Sequence, residues 1–490
     1  MYKKTILFII FVIITVLLFS FCSIGAPVDN DDTPVDNDDY YDFTEDTTQG
    51  KTFYLDDQLS VAHTTTYSVE NRDAFGSDGD AYNNLEDAIN ALSGGDSLII
   101  RNGTYSRSPT YDQEVGAFDI GGSDIDGSPD DYTVIKTYPG DEMPVILTEP
   151  GKAQYNPDPG DTTPDPVTNR YDGSCDFYKN PAIGIHGNYI AVSGLKTYGQ
   201  VVLSYSSNVF LENCDLGGGG PRTTQGNVIS LAYWSYDIII RNNKIHNSCW
   251  GSNNENGAAI IFYSSSAIIE NNEFYDNWGT DIYVKDTGDQ QGRTVDIRYN
   301  FFGPSTIFSG CAGIIGHNQQ IDIDIVNVHN NVFLDKEKGI QWGTITENSP
   351  IFPYNNTFID SGDMDIHGWT DDQRLYSYNN LLYHSNGKLY YSVFTINEAD
   401  YNLFYSTSGT TIWKLEGTAN PFKTSLSEWQ TATNQDLHSV YTDPLFVNAG
   451  GNRPEDFKRQ SYAGDVSGSE YGTVCGAYET GDETIGLIDR

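Results

Sequence analysis

Apolar residues along the middle of this chain recur two apart in short runs, and each run leads to an asparagine. Ile238 and Ile240 precede Asn243, Ala267 and Ile269 precede Asn272, Val295 and Ile297 precede Asn300, and Val326 and Val328 precede Asn331. In each case the apolar pair stands five and three positions before the amide. A period of two predicts a strand with one face turned inward. The asparagine itself recurs at 243, 272, 300, 331, 356, 380 and 402, at intervals of 22 to 31 residues, and Cys214 holds the same place one step earlier. Such a repeat describes the coils of a solenoid with turns of variable length. Amides stacked at the strand spacing of about 4.8 Å pass hydrogen bonds from coil to coil and satisfy a buried turn without charge.

A second strand precedes the first in each coil, over Val228–Tyr233, Ala258–Tyr263, Asp281–Asp286, Ala312–His317, Gly339–Trp342 and Met364–Trp369. Ahead of the repeats, Leu85, Ala88, Ile89 and Leu92 fall on one helical face, and Gly94 to Tyr105 reads as a strand bounded by turn residues. A helix there covers the open end of a solenoid, whose first coil otherwise exposes apolar side chains and strand edges. Composition agrees, since 34 Tyr, 48 Gly and only three Met suit short strands and tight turns better than helices. An all-β fold follows.

These elements resemble the right-handed parallel β-helix proteins typified by pectate lyases and related polysaccharide lyases and glycosidases. The resemblance spans residues 65 to 480. It rests on the cap helix, on Gly95-Asp96-Ser97-Leu98-Ile99 with Asn102-Gly103-Thr104-Tyr105, on Tyr132 to Gly140, and on Gln435 to Phe446, which is similar to a segment common in bacterial members. It implies a single-stranded parallel β-helix acting on a polysaccharide, most plausibly a lyase that cleaves a uronic acid polymer by β-elimination. The alternatives are a glycoside hydrolase on the same fold and a non-catalytic glycan-binding surface protein.

The register sorts the outward positions. Glu212, Arg241, Glu270 and Arg298 share a column of alternating sign, which predicts an ion-pair ladder; alternatively Arg298 neutralises a substrate carboxylate. The column on the other strand offers Tyr233, Tyr263, Lys285 and His317, with Tyr283, Gln341, Trp342, His367 and Trp369 close by. Tyr and Trp faces stack well on sugar rings. Proton abstraction beside a carboxylate needs a base, and Lys285 and His317 are the candidates. Asp276, Asp281 and Asp286 crowd the same coil and are the candidate ligands for Ca²⁺, a hard ion that takes carboxylate oxygens. His246, Asn247, Asp335, Asp360 and His384 read as polar turn residues.

The remaining features place the protein. Lys3 and Lys4, the apolar run Ile6 to Phe21 and small residues after it predict a signal peptide over 1–26, with Cys22 a candidate lipid-attached residue. Two copies of Pro-Val-Asp-Asn-Asp-Asp, at 27–32 and 34–39, predict an acidic tether over 27–64. The β-helix follows over 65–480 and a tail over 481–490. The expectation is a monomer, secreted or held at the cell surface, touching a membrane only through that anchor. A net charge of −41 repels nucleic acid and anionic lipid, and no phosphate loop, zinc cysteine cluster or serine nucleophile elbow stands in a supporting context, so nucleotide chemistry is unsupported. Of Cys175, Cys214, Cys249, Cys311 and Cys475, at least one is expected to be a buried, unpaired thiol.

Overall fold

The structure, a computed structural model, describes residues 50–488 apart from 107–117, 123, 148–181, 219–226, 233, 249–256, 264, 286–292, 306–310, 319–322, 345–349, 369–373, 386–388, 395, 409–411, 463–468, 470 and 473. The signal segment, Cys22 and the acidic repeats lie outside the described residues, as do Cys175 and Cys249. No helix of the described residues is long and apolar enough to cross a membrane.

Each coil contributes a strand to three parallel sheets. Sheet I, of 14 strands, carries the runs before the ladder asparagines; sheet II, of 12, carries the short strands after them; sheet III, of 12, carries the other strand of each coil. The coil around Asn243 shows the order: Ile229–Ala232 in sheet III, Tyr236–Arg241 in sheet I, Lys244–His246 in sheet II. Strand n pairs with its counterpart one coil away throughout, so Ile238 lies beside Ala267, Ala267 beside Val295 and Val295 beside Val326. The predicted alternation is thus the observed one, and these residues are buried in one continuous core.

Inside the sheet II face, Phe274, Phe302, Phe333 and Phe358 stack with ring centroids 4.9, 4.5 and 4.7 Å apart. Where sheet I turns into sheet II, the ladder forms. Asn300 Oδ1 accepts from the backbone N–H of Asn272 at 2.9 Å and from its amide at 3.0 Å, and Asn331 does the same for Asn300. Each amide nitrogen also donates to a backbone carbonyl of the preceding coil, as Asn300 Nδ2 does to Ile269 at 2.8 Å. Cys214 joins the column from below, its N–H donating to Asn243 Oδ1 at 2.9 Å; Cys214, Cys311 and Cys475 are buried.

The body opens earlier than Thr65. Thr52–Leu55 pairs in parallel with Ser97–Ile100, so the last part of the expected tether is a strand whose inward residues, Phe53 and Leu55, are hidden in an acidic stretch. The predicted cap helix spans Leu85–Asn90 and buries Leu85, Ala88 and Ile89; Asn84 caps it by accepting from the N–H of Asp87.

A second helix closes the other end, Leu426–Thr433, and was not foreseen because its single buried residue, Trp429, gives no periodicity. Trp429 stacks on Trp413 at 6.5 Å and donates to Asp436, which ends the ladder by accepting from Asn402 Nδ2 at 2.9 Å and Ser439 Oγ at 2.6 Å.

From Asp443 the chain turns back along sheet II. Phe446, Phe457, Cys475, Ala477, Tyr478 and Ile485 cover Phe301, Val332, Leu334, Ile359, Leu381 and Leu403 on its outer face. The residue before each ladder position is left-handed, as at Asn242, Asn271, Asn330, Asn355 and Asn379, a conformation Asn tolerates better than most. Those outer amides hold the returning chain: Asn379 donates to Gly472, Asn355 to Tyr471, Asn330 to Ala477 and Asn271 to Thr484, while Asn242 accepts from Ile488.

Candidate functional site

The outward face of sheet III carries two columns in the middle of the solenoid. One runs Ile261, Tyr283, Ile315, Gln341, His367 and Ser392. Two residues farther along each strand, the same register places Tyr263, Lys285 and His317 on consecutive coils, with Gly343 after them. Tyr283 is buried against Ala258 and Ile261, Tyr263 is half-buried beside them, and Lys285 Nζ stands 5.9 Å from the Tyr283 ring centroid. Lys285 is half-buried at the end of Thr280–Val284. His317 belongs to the strand Ala312–Asn318, though its side chain lies outside the described residues, as do Tyr233, Trp369 and Asp286.

Gln341 is buried at the centre of the first column, and His367 is half-buried beyond it, where burial, then the charges of Lys338 and Lys414, pull its imidazole down to about 4. That ring is neutral at ordinary pH.

Trp342 leaves the site. It follows outward Gln341, so parity turns it into the core, where it has no exposure and lies over Gly316. A Cβ at Gly316 would stand 1.9 Å from the Trp342 ring, and the glycine is the space the indole fills. Two adjacent strand residues cannot both face a ligand.

Arg298 is on a different sheet. Its guanidinium is held by Glu270 at 2.8 Å and by Asp296 at 3.2 Å, and the same column pairs Arg241 with Glu212 at 2.7 Å. The alternating column is therefore an ion-pair ladder, more buried than a surface ladder: Glu212 is 1% and Arg241 5% exposed. Farther along, charge gives way to rings, His329 on Tyr354 at 4.6 Å and Tyr378 on Tyr471 of the tail at 4.7 Å.

The proposed Ca²⁺ ligands separate too. Asp276 sits at φ 51° in a turn column with Asn247, Asp335 and Asp360, all left-handed, so its type is set by backbone conformation. Asp281 is the second residue of the strand Thr280–Val284 and pairs with Lys336 at 2.6 Å with neither side chain exposed. Asn277 donates to Asp281 at 3.0 Å, and burial still pushes the carboxyl up. Such a carboxylate is not placed to bind an ion from solvent, and no step is assigned to Ca²⁺. Among the described residues there is no group of three or more His, Cys, Asp or Glu arranged to hold a metal. His384, read as a turn residue, is fully buried against Asp365 at 2.9 Å.

The sequence reading missed features at the start of the same face. Tyr205 and Trp234, on neighbouring coils just after sheet III, are 58% and 48% exposed, and their rings meet edge to face at 5.4 Å. Both are left-handed, at φ 55° and 59°, where bulky residues are rare. The ladder numbering gave no signal for them, because one more residue stands in the second coil's corner: Leu203 pairs with Leu231, 28 positions on, but Ser207 with Tyr236, 29 on.

No family model and no curated protein matches the chain. Among solved structures, the pectate lyase Pel9A aligns over 89% of this chain and 98% of its own, with a TM-score of 0.53 and 13% identity. An alginate lyase from Paenibacillus sp. str. FPU-7 aligns over 58% of this chain and 95% of its own at 12% identity, TM-score 0.36. A GH136 lacto-N-biosidase from Eubacterium ramulus covers 80% and 68% at 11%, TM-score 0.40. At such identities likeness stops at the backbone. The three parallel sheets, the asparagine ladder and the first of these alignments together establish that the chain has the right-handed parallel β-helix fold seen in pectate lyase.

Proposed function

We propose that this protein is a carbohydrate-active enzyme, a lyase that cleaves a uronic acid polysaccharide by β-elimination outside the cell. The observation that carries the reading is Lys285: a half-buried amine beside the Tyr283 ring, on one outward column with Tyr263 and His317. An amine so placed suits removal of the proton beside a uronate carboxyl, with Tyr263 against the sugar. Lys285 takes the C5 proton, the C4–O bond breaks, a double bond forms between C4 and C5, and the departing oxygen takes a proton to end as a hydroxyl. His317 is the second base candidate on that column, and the neutral His367 and Gln341 offer hydrogen bonds to sugar hydroxyls. Arg298 takes no part, being committed to sheet I. The signal segment and Cys22 support secretion, free or lipid-anchored, and the acidic repeats a spacer from the surface.

The test is to offer the protein pectate, alginate and glycosaminoglycans, with and without Ca²⁺, and to follow the ultraviolet absorbance of unsaturated uronate ends. Lys285→Ala is expected to lower turnover by about 100-fold or more with KM little changed. New reducing ends without that absorbance identify a hydrolase instead. Full turnover by Lys285→Ala on a substrate that the protein degrades removes the reading.

A further inference from the structure

The first coils of sheet III bring together three side chains that the lyase reading does not use. Asp119 lies in Phe118–Gly121, His186 ends Ile183–His186 and Ser204 ends Val201–Ser204, on three consecutive strands. Ser204 Oγ is 2.6 Å from His186 Nδ1, and the opposite ring nitrogen, Nε2, is 3.7 Å from Asp119 Oδ1. The imidazole therefore stands between a hydroxyl and a carboxylate.

The surroundings fix this arrangement. Gly121 lies beside His186, and a Cβ there would come within 2.8 Å of the His186 Cβ, so the glycine makes room for the imidazole. Ser206 Oγ donates to the carbonyls of Ile185 at 2.8 Å and Ser204 at 3.1 Å, which pins the corner that follows the hydroxyl. His186 and Asp119 are each about one-third exposed, 33% and 32%, while the Asp119 Oδ1 that faces the ring is itself shut off from solvent. Tyr205, next to Ser204 in sequence, and Trp234 beside it present the exposed ring pair described above.

We propose that Ser204, His186 and Asp119 are the nucleophile, base and supporting acid of an ester hydrolase, acting on an acyl group carried by a sugar that Tyr205 and Trp234 hold. A hydroxyl within hydrogen-bond reach of an imidazole, itself oriented by a carboxylate, is the general arrangement for nucleophilic acyl transfer. Ser204 Oγ bonds to the ester carbonyl carbon while its proton passes to His186 Nδ1. Asp119 steadies the imidazolium. The tetrahedral adduct collapses by breaking the carbon–oxygen bond to the sugar, whose oxygen takes the proton back from His186. Water, deprotonated by the same imidazole, then attacks the acyl-serine; the bond from the acyl carbon to Ser204 Oγ breaks, Oγ takes the proton back from His186, and the acid is freed. The balance is ester plus water giving carboxylic acid plus sugar hydroxyl, with no further reactant. Exposed aromatic rings next to the nucleophile favour a pyranose over a peptide as the acyl carrier.

The choice of a sugar rests on the carbohydrate reading above, but the ester chemistry does not, so the experiment separates them. The full chain is incubated with p-nitrophenyl acetate, which contains no uronate, with an O-acetylated polysaccharide whose acetate release is measured, and with a fluorophosphonate probe followed by peptide mass spectrometry. The expected results are an adduct on Ser204 and a loss of about 1,000-fold or more in turnover for Ser204→Ala and for His186→Ala. Circular dichroism and melting of both variants check that the fold is kept. Trp234→Ala should raise KM for the acetylated polysaccharide several-fold and leave that for p-nitrophenyl acetate unchanged. Absence of an adduct, or ester hydrolysis by folded Ser204→Ala at the wild-type rate, overturns the assignment of the nucleophile; an unchanged KM for the acetylated polysaccharide in Trp234→Ala overturns that of the sugar-holding rings.

Discussion

Two buried carboxylates illustrate how this protein manages charge, one by pairing and one by neutralisation. Asp281 meets Lys336 with no solvent at either side chain. Removing one partner strands the other, so Lys336→Met is expected to cost about 3–5 kcal/mol, whereas the double change Asp281→Leu with Lys336→Met should come close to neutral. Urea denaturation of both variants tests it, and a double variant no more stable than Lys336→Met would overturn the expectation. No cation among the described residues pairs with Asp436. Burial pushes its carboxyl up to about 6 against the pull of the donors from Ser439, Asn402 and Trp429. Below about pH 4 it is protonated in folded and unfolded chains alike; between about 4 and about 6 only the folded chain keeps the proton; above that both are ionised. This residue therefore adds stability as pH falls through that window, on the order of 3 kcal/mol in all. Asp436→Asn should flatten that part of the melting profile relative to wild type, and an unaltered slope would refute the assignment.

At the scale of strands and turns, the amide column is the element on which register depends. Asn331 Oδ1 accepts two hydrogen bonds from Asn300, and its amide donates to Ile297, His329 and Asn356. Asn331→Ala would leave a buried N–H and a buried carbonyl unpaired, at about 1–3 kcal/mol each, and a drop of about 3 kcal/mol or more in stability is expected by denaturant titration. The strands of sheet I and the amide column were legible because each apolar pair and each asparagine is dictated by the same inward-facing geometry, coil after coil. The sheet III face was less so. Its strands are there, but parity at Gln341 and Trp342 was blurred by counting neighbours rather than alternation, and Asp281 escaped because its buried partner, Lys336, lies 55 positions on along the chain. Lys336, His384 and Trp429 gave no warning, since a single polar or aromatic residue turned inward carries no period. Ser204, His186 and Asp119 are 18 and 67 residues apart along the chain and meet only through stacking.

Across the whole molecule, charge and connectivity matter most. A net charge of −41 opposes an anionic polymer, so raising ionic strength from about 10 mM to about 150 mM should lower KM for a uronate polysaccharide, and a KM that instead rises would point to local cationic recognition. Phe457, buried between the tail and sheet II, is the residue whose loss should loosen the returning segment: Phe457→Ala is expected to cost about 3–5 kcal/mol, read as faster native-state proteolysis after residue 443. Stacked coils touch only their neighbours, and an array of that kind unravels from its ends a few rungs at a time. The bonds from Asn271 to Thr484 and from Ile488 to Asn242 join residues 213 and 246 positions apart. They tie later-synthesised residues to rungs laid down much earlier, so a linear stack melts more nearly as one cooperative unit, and the stack's protection against fraying is complete only once residues 484–488 have been made.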